Sequence, residues 1–376
     1  MASTVQSTVP FMDLRHVNAG VADLVLADVA DTIADGAFVE GPAIARFERM
    51  FADYCGVRDA VAVASGLDAL RLALIALGVG AGDEVIVPAE TFIATFEAVS
   101  QSGATPVVVD VTEDDYTLDP EQVEARIGPR TRAVVPVHIY GQMADMRRMR
   151  AVAEGHGLHL IEDACQAHGA VRDGLRAGGA GDAAAFSFYP SKNLGAMGDA
   201  GALATDDVEV AKAVRSLRSH GQSTKGVSVY QGYTARMDTL QGAVLGHKLP
   251  LLDGWNDDRR AAAGYYGTAL EGVGDVRPLP VPEGSDPVWY LYPLRTASAD
   301  RMQTFLSERG IDTGRHYSQP PHLSDAYASL GHARGSFPVA EALSAQLVSL
   351  PLFPGITEAQ LARVVDGVKE YFRDGV

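Results

Sequence analysis

The sequence predicts an α/β fold: a large domain on an open, mostly parallel seven-stranded sheet sandwiched by helices, followed by a smaller α+β domain. Three observations carry this prediction. Between about residues 60 and 205, short apolar runs alternate with amphipathic segments at helical spacing, the order that winds a parallel sheet between helices. The runs are rich in Val, Ala and Ile and mostly lack polar alternation, as strands covered on both faces do. Beyond residue 206 the alternation stops, and a Pro-rich connector, DVRPLPVPEGSDP (275–287), precedes new strand and helix patterns.

The candidate strands are AVAVA (60–64), EVIVP (84–88), PVVVDV (106–111), AVVPV (133–137), LHLIED (158–163), AAAFSF (183–188) and GALAT (201–205). Segments such as LDALRLALIALG and TFIATFEAVSQSG supply helices between them. VEVAKAVRSLRSHG reads as a helix ending at Gly221, and a long helical stretch runs from Asp238 towards Arg260. WYLYPLRTA then suggests a strand, DRMQTFLSERG a helix and TEAQLARVVDGVKEYF a closing helix. The expected division is 1–255 for the large domain and 256–376 for the small one. The segment before residue 40 is expected to pack on the small domain or on a partner subunit.

Bulk properties narrow the function. With Lys+Arg 31 against Asp+Glu 48, the formal net charge is −17 and no basic tract offsets it. Nucleic acid and anionic membrane are poor partners for such a chain. No apolar run approaches the roughly 18 residues of a membrane span. The start, MASTVQSTVPFMDL, lacks the basic residues and apolar block of a secretory leader. Only Cys55 and Cys165 are present, far apart, which suits a reducing, cytoplasmic setting. GVGAGDEV (78–85) precedes a strand instead of following one, so it is no dinucleotide fingerprint. The histidines show no zinc spacing, and no metal is expected.

Chemistry gathers at the ends of the predicted strands, where ligands of such sheets bind. Ser65 and Gly66 stand where a strand gives way to a helix, and helix-start N–H groups suit a phosphate dianion. A plain tight turn competes with that reading. Phe92 lies just past a strand end and could cover a flat ring, with a core phenylalanine as the alternative. PVHIYGQMADM places His138, Tyr140 and Gln142 after a buried run, and LIEDACQAHGA does the same for Glu162, Asp163, Gln166 and His168. Sheet-end carboxylates and imidazoles need partners if buried. Asp163 could pair with a protonated ring nitrogen or cap the helix that follows. In SFYPSKNLGAMGDAG (187–201), Lys192 sits between an apolar strand and a Gly-rich turn beside Ser187. A desolvated lysine there can form an imine with a carbonyl cofactor. Each element is ambiguous alone. In this order, along one sheet, they describe a site for pyridoxal phosphate.

These residues resemble the DegT/DnrJ/EryC1/StrS sugar aminotransferases, fold-type-I pyridoxal phosphate enzymes. The likeness covers nearly the whole chain, through GPAIARFERMFADYCGV, SGLDALRLAL, GDEVIVPAETFIAT, VHIYGQMADM, EDACQAHGA, FSFYPSKNLGAMGD, ARMDTLQGAVLGHKL, HYSQPPH and LSLPLFPGIT. It implies Lys192 as the Schiff-base lysine and Asp163 as partner of the pyridine nitrogen. Gln166 would bond near the cofactor's phenolic oxygen, Ser65, Gly66, Leu67 and Ser187 would hold the phosphate, and Phe92 would stack on the ring. It further implies a homodimer whose partner subunit contributes the GYTARM segment, with Thr234 and Arg236, to each site. Thr234 stands where family members commonly have Asn, Leu67 where a small polar residue is common, and Cys165 where Ala is usual. Tyr317, His322 and Arg236 are the expected substrate contacts, the first two to sugar or phosphate. The implied reaction is a two-stage transamination from L-glutamate to a nucleotide-diphosphate ketosugar. FSFYPSKNLG is most like members aminating C3 of dTDP-3-keto-6-deoxyhexoses in routes to amino sugars of natural products. A C4-aminating enzyme and a non-catalytic regulator on the same fold are the alternatives.

Overall fold

The structure is a computed structural model that describes residues 8–373. Residues 1–7, the start of the segment read above for a secretory leader, lie outside the described residues. The central sheet contains β1 (Asp59–Val63), β2 (Glu84–Pro88), β3 (Thr105–Val109), β4 (Thr131–Val134), β5 (His159–Asp163), β6 (Ala183–Ser187) and β7 (Gly201–Thr205). Its seven strands run in the order β1-β7-β6-β5-β4-β2-β3. Only β7 is reversed: it pairs antiparallel with β1 and β6, and the other pairings are parallel. Ser187, the last residue of β6, pairs directly with Gly201, the first of β7. The strand expected at 133–137 begins and ends earlier. Pro136 has no N–H to give a ladder, and beyond it only Val137 makes an isolated bridge, to Asp163.

Helices cover both faces, and strand parity decides which side chains they meet. They are α1 (Ala22–Asp35), α2 (Pro42–Cys55), α3 (Gly66–Ala76), α4 (Ala94–Ser102), α5 (Met146–His156), α6 (Val208–Leu217) and α7 (Thr239–Lys248). Val61, Val85, Val87, Ile161 and Leu203 point to the face of α3, α4 and α6, against Leu70, Phe96 and Val214. Ala62, Ile86, Leu160, Ala184 and Ala202 point to the opposite face, against Phe47 and Phe51 of α2, Met149 of α5 and Leu245 of α7. Phe47 and Phe51 are fully buried, and burial of each such side chain contributes about 1.5–3 kcal/mol. The same parity separates two neighbouring carboxylates at the end of β5. Asp163 follows Ile161, and Glu162 follows Leu160.

The long helical stretch expected from Asp238 is broken. Pro250 lies in a single 3-10 turn, Leu249–Leu251, between α7 and α8 (Leu252–Ala269), because proline cannot supply the helical N–H. α8 passes from one core to another: Leu252 packs under the large sheet, and Tyr266 packs with α9 (Ala299–Glu308) and α10 (Glu358–Arg373). There, Arg277–Pro278, β8 (Tyr292–Arg295) and β9 (Leu347–Leu350) form an antiparallel three-stranded sheet. The N-terminal segment divides between the two bodies. Val9 joins the second core and exchanges backbone hydrogen bonds with Gly310 (2.8 Å) and Asp312 (3.0 Å). Val21 and the α1 residue Val25 pack on Val244 of α7. Among the described residues no helix is long and apolar enough to cross a membrane.

Candidate active site

A cavity of about 420 Å³ opens at the sheet edge where β1, β2, β5 and β6 end. Nine of the residues expected at the site line it: Ser65, Gly66, Leu67, Phe92, Asp163, Gln166, Ser187, Lys192 and Tyr317. One end of the cavity is the start of α3. Ser65 caps the helix, its Oγ accepting the Asp68 N–H at 3.1 Å, and its carbonyl accepts the Ala69 N–H at 3.0 Å. The Gly66 and Leu67 N–H groups have no acceptor within the helix and head it at the cavity, beside Ser187. A Cβ on Gly66 would lie 2.6 Å from Cys165 Sγ and 2.7 Å from Ser187 Cβ. A Cβ on Gly201 would lie 2.3 Å from the Ser65 carbonyl carbon. Glycine at both positions lets the cap close against β6 and β7, leaving a cradle of backbone N–H groups and hydroxyls that fits a phosphate.

Asp163 is buried on the α3–α4 face, as its parity requires. Its Oδ2 accepts from Thr95 Oγ1 at 2.8 Å and its Oδ1 from the Cys165 N–H at 3.3 Å. No helix follows Asp163, where the chain only turns, so the cap alternative has nothing to cap and leaves one long backbone contact, while the carboxylate borders the cavity. Phe92 is 52% exposed, which sets aside the core alternative. Its ring lies 5.4 Å from that of Tyr317, leaving an aromatic face beside the carboxylate. Gln166 Oε1 accepts the Tyr140 N–H at 2.7 Å, and its Nε2 donates to the Tyr317 hydroxyl at 3.1 Å. Cys165 packs inside this cluster, and burial followed by the Asp163 charge pushes its thiol well above the ordinary range.

Lys192 sits in the turn after β6, its N–H bonded to the Tyr189 carbonyl at 2.8 Å. Its Nζ lies 4.2 Å from the centroid of the Tyr290 ring, a cation–π distance. The Tyr290 carbonyl is in turn held by Arg259, whose buried guanidinium also reaches the carbonyls of Trp289 and Leu352. Beneath the lysine turn, buried Lys248 donates to the Gly195 carbonyl at 2.7 Å, and burial lowers its pKa to about 8.

Three expected contacts stand apart from the cavity in the single chain. Thr234 is exposed, with its hydroxyl 3.3 Å from His220 Nε2. Arg236 bridges to Val63 on the edge strand β1 and does not border the cavity. His322 is buried, faces Glu341 at 3.3 Å and packs edge-on against Phe337, away from the cavity. Four other polar residues of the quoted motifs are structural. His138 Nε2–H donates to Glu162 (2.9 Å), and Glu162 accepts the N–H groups of Gly178, Ala180 and Gly181. Gln142 donates to the carbonyls of Asp115 and Pro280. His168 lies among Phe186 and Phe188, where burial lowers its pKa to about 3 and keeps it neutral. Thr95, Tyr290 and His316 also line the cavity and are not among the expected site residues. Thr95 was within reach of the sequence, as a hydroxyl one turn beyond Phe92. Tyr290 lies in WYLYPLRTA and His316 in HYSQPPH, and nothing in either segment marks these two side chains as the ones that turn to the cavity.

The sequence model of the DegT/DnrJ/EryC1/StrS aminotransferase family matches residues 22–369. The chain belongs to this family. It is 47% identical over 364 residues to the dTDP-3-amino-3,4,6-trideoxy-alpha-D-glucose transaminase of Streptomyces venezuelae, covering 96% of both chains. The crystal structure of S. venezuelae DesV in complex with a ketimine intermediate superimposes with a TM-score of 0.95, at 46% identity, over 97% of this chain and 99% of that one. NtdA from Bacillus subtilis with bound cofactor PMP matches with a TM-score of 0.90 at 32% identity, over 99% of this chain and 87% of that one. The protein is a pyridoxal phosphate-dependent aminotransferase, and its cavity fits the cofactor. An amine, a buried carboxylate, an aromatic face and a helix-start cradle border one space.

Proposed function

We propose that this enzyme moves an amino group from L-glutamate to C3 of a dTDP-linked 3-keto-6-deoxyhexose, in the cytoplasm, on a route to an amino sugar of a natural product. The observation that carries the reading is the 47% identity to a transaminase named for a dTDP-3-amino sugar, across 96% of both chains. When bound, pyridoxal phosphate supplies a carbonyl and an electron sink. The amine of Lys192 would hold that carbonyl and, once displaced, carry the proton away from the donor's alpha carbon. Asp163, fixed by Thr95 and the Cys165 N–H, would keep the pyridine nitrogen protonated. Gly66, Leu67, Ser65 and Ser187 would bind the phosphate, Phe92 would cover the ring, and Gln166 would face its phenolic oxygen.

The acceptor would enter beside Tyr317. Thr234 and Arg236 would serve the site of the other subunit in a homodimer. Their position outside this chain's own cavity supports that role, as do the exposed apolar side chains Leu26, Ile33, Phe38 and Tyr230. We place the domain division at 255/256, where α8 leaves the first core for the second. The test is to incubate the enzyme with L-glutamate and a panel of nucleotide ketosugars and to locate the aminated carbon by NMR. Amination at C3 of a dTDP-sugar is the expected result. Amination only at C4, or of no nucleotide sugar, overturns the proposal.

A further inference from the structure

Tyr140, a residue for which the proposed chemistry has no use, occupies an unusual place. It sits in the turn after β4 with φ +58, a left-handed conformation that costs a non-glycine residue about 1 kcal/mol or more. Its ring is fully buried. Its hydroxyl lies 2.7 Å from Glu90 Oε1 and 2.8 Å from the carbonyl oxygen of His316. A phenol carries one hydrogen, a carbonyl only accepts, and an ionised carboxylate only accepts. With Glu90 ionised, one of these two short contacts would bring lone pairs together with no hydrogen between them. With Glu90 neutral, both are hydrogen bonds: the acid donates to the phenol, and the phenol donates to the carbonyl.

The surroundings agree. Glu90 is 2% exposed, two residues past the end of β2. Tyr140, the backbone N–H of Tyr317, the Ser344 hydroxyl and the Asp110 carboxylate face it, and no cation is among these groups. Asp110 spends its own oxygens on the N–H groups of Val339 and Ala340, both at 2.9 Å. Burial outweighs the hydrogen bonds that Tyr140, the Tyr317 N–H and Ser344 offer the charged form and, reinforced by Asp110, raises the acid to about 8. Tyr140 itself is held well above its ordinary range by burial and by Glu90, with Tyr317 and Tyr116 adding to the effect.

We propose that Glu90 is a positioning residue that works as a neutral carboxylic acid, fastening the 316–317 loop to the sheet end through Tyr140 so that Tyr317 stays over Gln166. The same Tyr140 holds both parts, its N–H on Gln166 and its hydroxyl on the His316 carbonyl. When Glu90 loses its proton to solvent, the phenol turns to the carboxylate, the stronger acceptor. The His316 carbonyl then loses its donor and the loop is released. That Tyr317 borders bound substrate rests on the proposed function; the protonation of Glu90 does not.

Glu90 holds its proton to higher pH in the folded state than in the unfolded one, so its contribution to stability is full below about pH 4.5 and is lost as pH rises through about 8. Glu90→Gln, which donates to Tyr140 without titrating, removes that slope. The test compares wild-type holoenzyme with Glu90→Gln by infrared spectroscopy and thermal unfolding from about pH 6 to about pH 9.5. In the wild type a buried protonated-carboxyl band should vanish near pH 8, and the band should be absent from the variant. The midpoint difference, variant minus wild type, should grow with pH to a plateau, and the roughly fivefold alkaline rise in acceptor KM expected for the wild type should disappear. Identical pH profiles for the two proteins overturn the proposal. If the variant does not fold, wild type carrying 13C-glutamate decides: a protonated glutamate band at neutral pH supports the proposal, and its absence overturns it. Infrared and unfolding need no turnover, so a mistaken substrate would leave both intact.

Discussion

The wall of the cavity that belongs to the sheet follows strand ends within a few residues, at Ser65 to Leu67, Asp163 to Gln166 and Ser187 to Lys192. The facing wall, Tyr290, His316 and Tyr317, comes from irregular segments whose carbonyls are held from below by Arg259 and Tyr140. The first wall is fixed by the strand ladders of a sheet whose two faces are covered by helices. The second depends on a handful of side-chain donors. The groups proposed to react therefore stand on the rigid side, and those proposed to meet a varying sugar stand on the adjustable side, a division common to enzymes whose loops ride on a scaffold.

Substitutions on the two walls should separate accordingly. The largest effect is expected at Lys192→Ala, with turnover falling on the order of 10³-fold or more in steady-state assays of glutamate-dependent amination. Retention of near-wild-type turnover would remove the sheet wall from the chemistry. Asp163→Asn, which keeps shape but removes charge, should lower kcat about 10²–10³-fold, with a shifted absorbance spectrum of the bound cofactor. Gly66→Ala forces a Cβ against Cys165 and Ser187. It should cost about 1–3 kcal/mol in thermal unfolding and weaken cofactor retention on dialysis. Tyr317→Phe, on the second wall, removes one hydrogen bond worth about 1 kcal/mol. It should raise acceptor KM about fivefold with kcat little changed. A large kcat loss there would erase the distinction between the walls.

The contrast also tracks what could be read from the sequence. All seven central strands and the residues directly after four of them were legible, because buried runs and their polar sequels are local patterns. Pro136 and Pro250 shortened or broke elements whose apolar pattern ran on through them. His322 stood out in HYSQPPH beside Tyr317, yet only Tyr317 borders the cavity. Sequence adjacency in a loop does not say which side chain turns inward. Tyr290 is hidden for a related reason: it stands in WYLYPLRTA, whose strand begins only at Tyr292, and it reaches Lys192 from 98 positions away. Asp163 and Glu162 were both singled out, and strand parity sends one to the cavity and the other to a cluster of backbone amides.

The reversed strand has one more effect. Because β7 runs against β6, and Ser187 pairs with Gly201, the segment carrying Lys192 leaves and re-enters the sheet at the same rim. It is a loop stapled at its base, unlike the crossovers elsewhere, which leave at one rim and return from the other. Residues added to a crossover at the far rim would be absorbed far from the cavity. A residue added between Ser187 and Gly201 has nowhere to go but around that closed loop, and it would carry the amine with it. Length, as much as composition, is thus under constraint in this one stretch of chain.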